Sequence, residues 1–346
     1  MIHQTKQQNL ASASASAHPA PAHAPQARAG EHRTRMQSLL RTAGMLPVLL
    51  LLCVGFGFLT DGFLTLQNLS IVTQQASINI VLAAGMTFVI LTGGIDLSVG
   101  SVLAAAAVAA LLASNIPNWG WLGIPAALAV GLGFGVINGG LIALLRLPPF
   151  IVTLGGMTIW RGLTLVINDG APIAGFDQGY RWWGRGELLG ISIPIWIFAI
   201  VALGGYLALH KTRWGRFVYA IGGNPEAARL AGVNVKRVLV SVYVLIGCLA
   251  GLAGFILSAR LGSAEAVAGI SFELRVIASV VIGGTSLMGG YGRIGGTIIG
   301  SIIMGILING LVLMNVSAYY QQIITGLIIV LAVAFDTYAK SRRGAL

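Results

Sequence analysis

"ILTGGIDLSVGS", residues 90–101, places one carboxylate, Asp96, inside a stretch that carries no other charge from Ile71 to Leu112. An unpaired charge in hydrocarbon costs several kcal/mol, so an acid kept there needs a partner or a task. Gly93 and Gly94 before it and Ser98 after it predict a break between two helices. At such a break Asp96 would cap the new helix by accepting from its free N–H groups. Two further roles remain open for it, lining or gating a path and relaying protons.

The surroundings of that stretch identify the solvent. Of 346 residues, 56% are apolar and 9% charged, and the mean hydropathy is +0.86. Soluble domains carry about 25% charged residues. Apolar runs fall near 45–60, 70–92, 97–114, 121–145, 150–167, 191–210, 238–260, 272–288, 294–314 and 319–336. Each approaches the roughly 20 residues a helix needs to cross a bilayer. The sequence therefore predicts an all-α polytopic membrane protein with about ten transmembrane helices and no soluble domain.

Charge orients this array. The net charge is +11, but the basic residues lie in loops and tails between apolar runs, which points to membrane orientation and away from nucleic acid. With a cytoplasmic N-terminus, five of the 21 basic residues, Arg161, Arg181, Arg185, Arg260 and Arg275, are left for spans or the outer side. Both termini are then cytoplasmic. Residues 1–44, with "ASASASAHPAPAHAPQARAG", read as a disordered cytoplasmic tail. The transmembrane domain is expected over 45–338, interrupted by a cytoplasmic loop at 211–237, and 339–346 form a basic tail. The basic end of the head and the run after it resemble a signal peptide without a small-residue cleavage site, so a retained first span is expected.

Small residues recur at Gly131/Gly135/Gly139, Gly247/Gly251 and Gly296/Gly300, a spacing that lets helices in lipid approach closely. "VINGGLIALL" and "LINGLVLM" pair Asn138 with Asn309 and predict a 5+5 inverted repeat. "GGIDLSVG" with "GGTSLMGG" implies a different register. Cys53 and Cys248 lie in apolar runs and read as buried hydrophobes. Gly290, Gly292 and Gly295 fit GxGxxG but follow an apolar run instead of a strand, so no dinucleotide site is expected. No P-loop motif is present, and the five histidines show no metal-binding or catalytic spacing.

The basic loop carries the most informative motif, "IGGNPEAARLAGVNVKRV", residues 221–238. Asn224 reads as N-cap, Pro225 as the first helical residue, Glu226 as complement to the helix dipole and Gly232 as the stop. This short surface helix reads either as an amphipathic connector or as a docking element for a partner.

Together with "GMTFVILTGGIDLSVGS", "ARLGSAEAVAGISFELRVIASVVIGGTSLMGGYGRIGGT" and "YYQQIITGLIIVLAVAFD", this motif resembles the permease subunit of bacterial ATP-binding-cassette importers for simple sugars. The ribose permease group, within the branched-chain amino acid and sugar permeases, is nearest. The resemblance implies a vitamin B12 importer-like permease fold in the bacterial inner (plasma) membrane, surrounded by lipid. It implies a pair of permeases, here a homodimer, with a separate cytoplasmic ATPase and a periplasmic sugar-binding protein. The chain itself would be no enzyme and hold no cofactor, ATP being bound by the partner. The importers' EAA-and-glycine pattern maps onto Glu226, Ala227, Ala228 and Gly232, so Gly222, Gly223, Asn224 and Pro225 join them as the expected ATPase-coupling segment.

A monosaccharide path should be weakly polar. Asn79, Asp96, Ser98, Asn138, Asn309 and Gln321 are its candidates, each of which a neighbouring helix could also occupy. Glu273 and Arg275 read as a surface or interface pair, with contact to the binding protein as one role. A proton-coupled secondary transporter is the alternative, since it too would show broken helices and a lone membrane acid. A membrane-embedded enzyme would need a convergent catalytic set, and His210, at the end of a span, is the only histidine outside the head.

Overall fold

The computed structural model describes residues 45–175 and 177–341. The expectations for the head, residues 1–44, and for 342–346 lie outside the described residues. The helices run in chain order as α1 (Met45–Leu59), α2 (Leu66–Leu91), α3 (Val99–Ser114), α4 (Gly123–Leu144), α5 (Pro149–Ile167), α6 (Gln178–Arg185), α7 (Ile193–Lys211), α8 (Arg213–Gly223), α9 (Pro225–Leu230), α10 (Val235–Leu261), α11 (Phe272–Ile282), α12 (Ile294–Leu313) and α13 (Ala318–Ser341). Two short antiparallel pairs complete the described fold, β1 (Ile173–Ala174) with β4 (Ser263–Ala264) and β2 (Glu187–Leu188) with β3 (Ile191–Ser192).

Among the described residues six helices are long and apolar enough to cross a bilayer: α2, α4 with the 3-10 turn before it, α5, α7, α10 and α12. Every apolar run becomes helical, but the run at 272–288 does so only to Ile282. The chain stops there because "GGTSLMGG" follows, in which Gly284, Gly289 and Gly290 adopt positive φ, a backbone region open to glycine at little cost. The 211–237 loop folds into α8, α9 and the first turn of α10.

The central element is α2, with 83% of its membrane window buried against 22% for α7. It packs on α7, α10, α11 and α12. Hydroxyls and amides join it to its neighbours: Thr87 and Thr297 lie 2.8 Å apart, and Asn79 Nδ2 donates to Ser279 Oγ at 2.8 Å.

The most extensive helix contact is that of α4 with α10. Gly131 and Gly135 face Gly247 so closely that a Cβ on Gly131 or Gly247 would overlap the other's carbonyl oxygen. Lipid offers no hydrophobic drive for association, so close dispersion contact must hold this seam. Gly247→Val is expected to wedge it open and destabilise the fold by ~1–3 kcal/mol. A lower temperature of detergent-solubilised aggregation would register this, and an unchanged temperature would mean that the seam can relax.

Candidate functional site

The short helix α9 is built by its own sequence. Asn224 Oδ1 accepts from the Glu226 and Ala227 N–H groups at 3.0 Å each, Pro225 occupies the first turn, and Gly232, at φ +84°, turns the chain away. Ala228 is buried, whereas Pro225, Glu226, Ala227, Arg229 and Leu230 are exposed, Leu230 by 77%. Arg229 Nη2 meets Glu226 Oε1 at 2.5 Å. That hydrogen-bonded guanidinium holds the Glu226 carboxyl below the usual carboxylate range. Such an exposed pair stabilises little and leaves both charges available to a partner. Beside α9 opens a cavity of about 720 Å³, lined among others by Thr92, Arg146, Arg229, Lys236 and Tyr243.

Three glycine turns fasten α9 to the membrane core. Gly222, at the end of α8, lies so close to the turn after α2 that a Cβ on it would overlap the Leu91 carbonyl oxygen and stand 2.5 Å from Gly290 N. Gly290 N–H donates to that same Leu91 oxygen at 2.9 Å. A Cβ on Gly289 would sit 2.9 Å from Gly93 N and 3.0 Å from Gly222 O. Main chain therefore meets main chain from the end of α8, the break after α2 and the loop after α11.

Asp96 lies in that break and is 4% exposed. Its Oδ1 accepts from Ser98 N at 2.8 Å and Ser98 Oγ at 2.6 Å, a local turn that closes the chain just ahead of α3. Ser98 Oγ in turn accepts from Asn138 Nδ2 at 2.9 Å, so α4 is tied to the break. Thr153 Oγ1 on α5 donates to Ile95 O at 3.2 Å. Asp96, Ser98 and Asn138 thus form one chain of bonds.

The other sequence candidates lie elsewhere. Asn309 forms a reciprocal amide pair with Asn68, both bonds 2.9 Å, between α12 and α2. Asn79 and Gln321 come together in a second cavity of about 280 Å³, which includes Leu257 and Arg260 from the C-terminal end of α10. The cavity beside α9 takes Val235 and Lys236 from the opposite end. Arg275 lines the 280 Å³ cavity and stands 5.3 Å over the Phe272 ring. Glu273, half-buried, reaches toward Gly100, whose added Cβ would come 2.7 Å from Oε2. Sequence reasoning left Arg161 without a role. Its Nη1 donates to Ala266 O at 2.5 Å and Ala268 O at 2.8 Å, holding the loop before α11 against α5. A lone arginine within an apolar run was the signal for it.

Sequence comparison matches the chain to known permeases. The family model described as branched-chain amino acid transport system / permease component matches residues 68–333. The chain is 45% identical over 302 residues to the ribose import permease protein RbsC of Escherichia coli (strain K12), spanning 86% of this chain and 94% of that one. It is 45% identical over 314 residues to RbsC of Bacillus subtilis (strain 168), spanning 88% and 96%. With the L-arabinose transport system permease protein AraH of Escherichia coli (strain K12) the identity is 37% over 300 residues, 87% of this chain and 92% of that one. No solved structure matches the chain.

Proposed function

The chain belongs to the branched-chain amino acid transport system permease-component family, and we propose that it forms the membrane path of an ATP-driven importer for a monosaccharide, ribose or a similar pentose or hexose. Near full-length identity to permeases named for ribose and arabinose supports this reading. In it the chain crosses the bacterial inner membrane about ten times in a vitamin B12 importer-like fold, with a 5+5 inverted repeat and both termini in the cytoplasm. Two copies work together, surrounded by lipid. A periplasmic binding protein delivers sugar at the end away from α9. A separate ATPase seats on α9, so the chain itself needs neither a cofactor nor catalytic groups.

The observation that carries the coupling role is α9: a capped, preformed helix whose outward side chains are exposed, Glu226 and Arg229 pairing only with each other, and whose base is fastened by main chain to the break holding Asp96. Closure of the ATPases moves α9, the glycine turns carry the displacement to the breaks after α2 and α11, and access alternates between the two sides.

Purification of the tagged chain in mild detergent tests this. A P-loop ATPase is expected to accompany the wild type and to be lost from the Glu226→Ala, Gly232→Pro variant. Absence of any ATPase under crosslinking, together with uptake that stops when the proton gradient is collapsed at constant ATP, would replace the reading by proton coupling.

A further inference from the structure

The 720 Å³ cavity beside α9 is walled by the end of α4, the start of α5, the end of α8, α9 itself and the first turns of α10. We propose that it is a binding site for a phosphomonoester, whose phosphate is held between Arg146, Arg229 and Lys236. The proposal rests on the importer reading in one respect, that α9 and this cavity face the cytoplasm.

Charge is the first argument. Arg146, Arg229 and Lys236 come from three separate segments and line one cavity, whereas Lys211, Arg213, Arg216 and Arg237 are not part of its wall. The bias of basic residues toward one side of a membrane explains their side. It does not explain their convergence. Among the described residues Glu226 is the one carboxylate in the lining. It is bonded to Arg229 and also feels the charge of Arg146. Three cations against one carboxylate leave an excess of about two positive charges. The Arg146 and Lys236 side chains make no hydrogen bond or ion pair among the described residues. Asp96 is 4% exposed, turns its Oδ1 to Ser98 and is not part of the wall.

Backbone is the second. Arg146 has φ +57°, a left-handed conformation that residues with a Cβ seldom adopt. Pro148 and Pro149 follow it and fix their own φ, so the turn carrying Arg146 is stiff. The helix α5, of 19 residues, begins at Pro149, and α10, of 27 residues, begins at Val235, both in the cavity wall. Each brings the positive end of its dipole to the space. The hydroxyl of Tyr243, a residue 1% exposed, has no partner among the described residues. It stands at the inner wall beside Gly94, whose added Cβ would come 2.7 Å from it.

These features select the ligand. A chloride ion is too small to span three side chains, and a carboxylate has two oxygens for three cations. A phosphomonoester offers three free oxygens and carries about −1.5 to −2 at neutral pH, which matches the excess of positive charge. Guanidinium groups bind such oxygens in pairs and an ammonium binds them as a point charge. The cavity has room for roughly 24 waters at ~30 Å³ each, so a phosphate and a water joining it to the Tyr243 hydroxyl both fit. A group so held bridges α9, the turn between α4 and α5, and the start of α10.

The permease purified with its ATPase, in phosphatidylcholine nanodiscs, provides the test. Equilibrium binding of radiolabelled glycerol 3-phosphate is measured, and in a second preparation the phosphatidic acid that the complex retains from a mixed bilayer. Both probes carry the same phosphomonoester and only the second carries acyl chains. Binding of the soluble probe assigns the site to a solute, and binding of the lipid alone assigns it to a headgroup. Arg146→Gln with Lys236→Gln is expected to weaken binding about tenfold or more, since charge-assisted bonds are lost. Arg146→Lys with Lys236→Arg is expected to retain most of it, which separates lost charge from lost folding. Lys211→Gln with Arg213→Gln removes the same charge outside the cavity and is expected to leave binding within about twofold, because exposed charges at a distance are screened. No binding of either probe by the wild type, no loss in the first double variant, or an equal loss in the last would each overturn the site while leaving the importer reading in place. Lys236→Cys, in a Cys53→Ser, Cys248→Ser background, is expected to react with an impermeant maleimide from the cytoplasmic side of vesicles. Reaction from the periplasmic side alone would overturn the cytoplasmic placement, and the importer reading with it, whatever the binding shows.

Discussion

Gly222→Ala is expected to cut sugar uptake at least tenfold while the ATPase partner stays bound. The added methyl has nowhere to go, because its Cβ would overlap the Leu91 carbonyl oxygen and press on Gly290 N. Both obstacles are backbone, so no side-chain rotation relieves the clash. Overpacking of this kind costs ~1–3 kcal/mol, and each ~1.4 kcal/mol shifts an equilibrium tenfold. The expected loss of uptake is therefore about tenfold or more. The exposed side chains of α9 are untouched, so co-purified ATPase and its basal hydrolysis should remain near wild type, and uncoupled hydrolysis is the signature to measure. Gly223→Ala serves as the control, since no atom lies within 4 Å of a Cβ at that position. Equal uptake by both variants would mean that the glycine turns have slack and do not transmit the motion of α9.

Asp96→Leu is expected to reduce uptake at least tenfold, and Asp96→Asn to leave it within about threefold of wild type. The carboxylate accepts two hydrogen bonds from Ser98 through one oxygen, and an asparagine oxygen can accept both. Leucine accepts neither, leaving Ser98 N–H without its partner at a cost of ~1–3 kcal/mol and loosening the tie from Ser98 to Asn138. A proton relay predicts the reverse sensitivity, because asparagine holds the shape and cannot titrate. Uptake lost in Asp96→Asn and dependent on the proton gradient in the wild type would therefore move Asp96 from positioning to proton transfer.

The local parts of this molecule were legible in the sequence because local rules make them. Asn224, Pro225, Glu226 and Gly232 produce α9 through capping and a positive φ, which act over a few residues. The small-residue spacing in α4 and α10 likewise marks the faces that meet, since only those positions admit close approach. What joins distant segments was not legible. Nothing in "GGTSLMGG" names Leu91 or Gly222 as its neighbours, because main-chain contact leaves no side-chain signature. Asn138 and Asn309 look alike in sequence, yet one bonds Ser98 in a break and the other Asn68 at a helix start. Arg275 read as a surface or interface charge because α11 follows an irregular loop, while the fold brings it beside Asn79 and Gln321.

The burial of α2 has a consequence for how the protein is made. α2 is the least apolar of the six long spans and the most enclosed, and part of that enclosure comes from α12, which begins roughly 200 residues later in the chain. At ~5–20 residues per second of synthesis, α2 waits ~10–40 s for that cover. During this interval Asn68, Asn79 and Thr87, each destined for a later partner, meet lipid or the insertion machinery. Biogenesis of this permease therefore passes through a nascent intermediate in which its future centre is its outside.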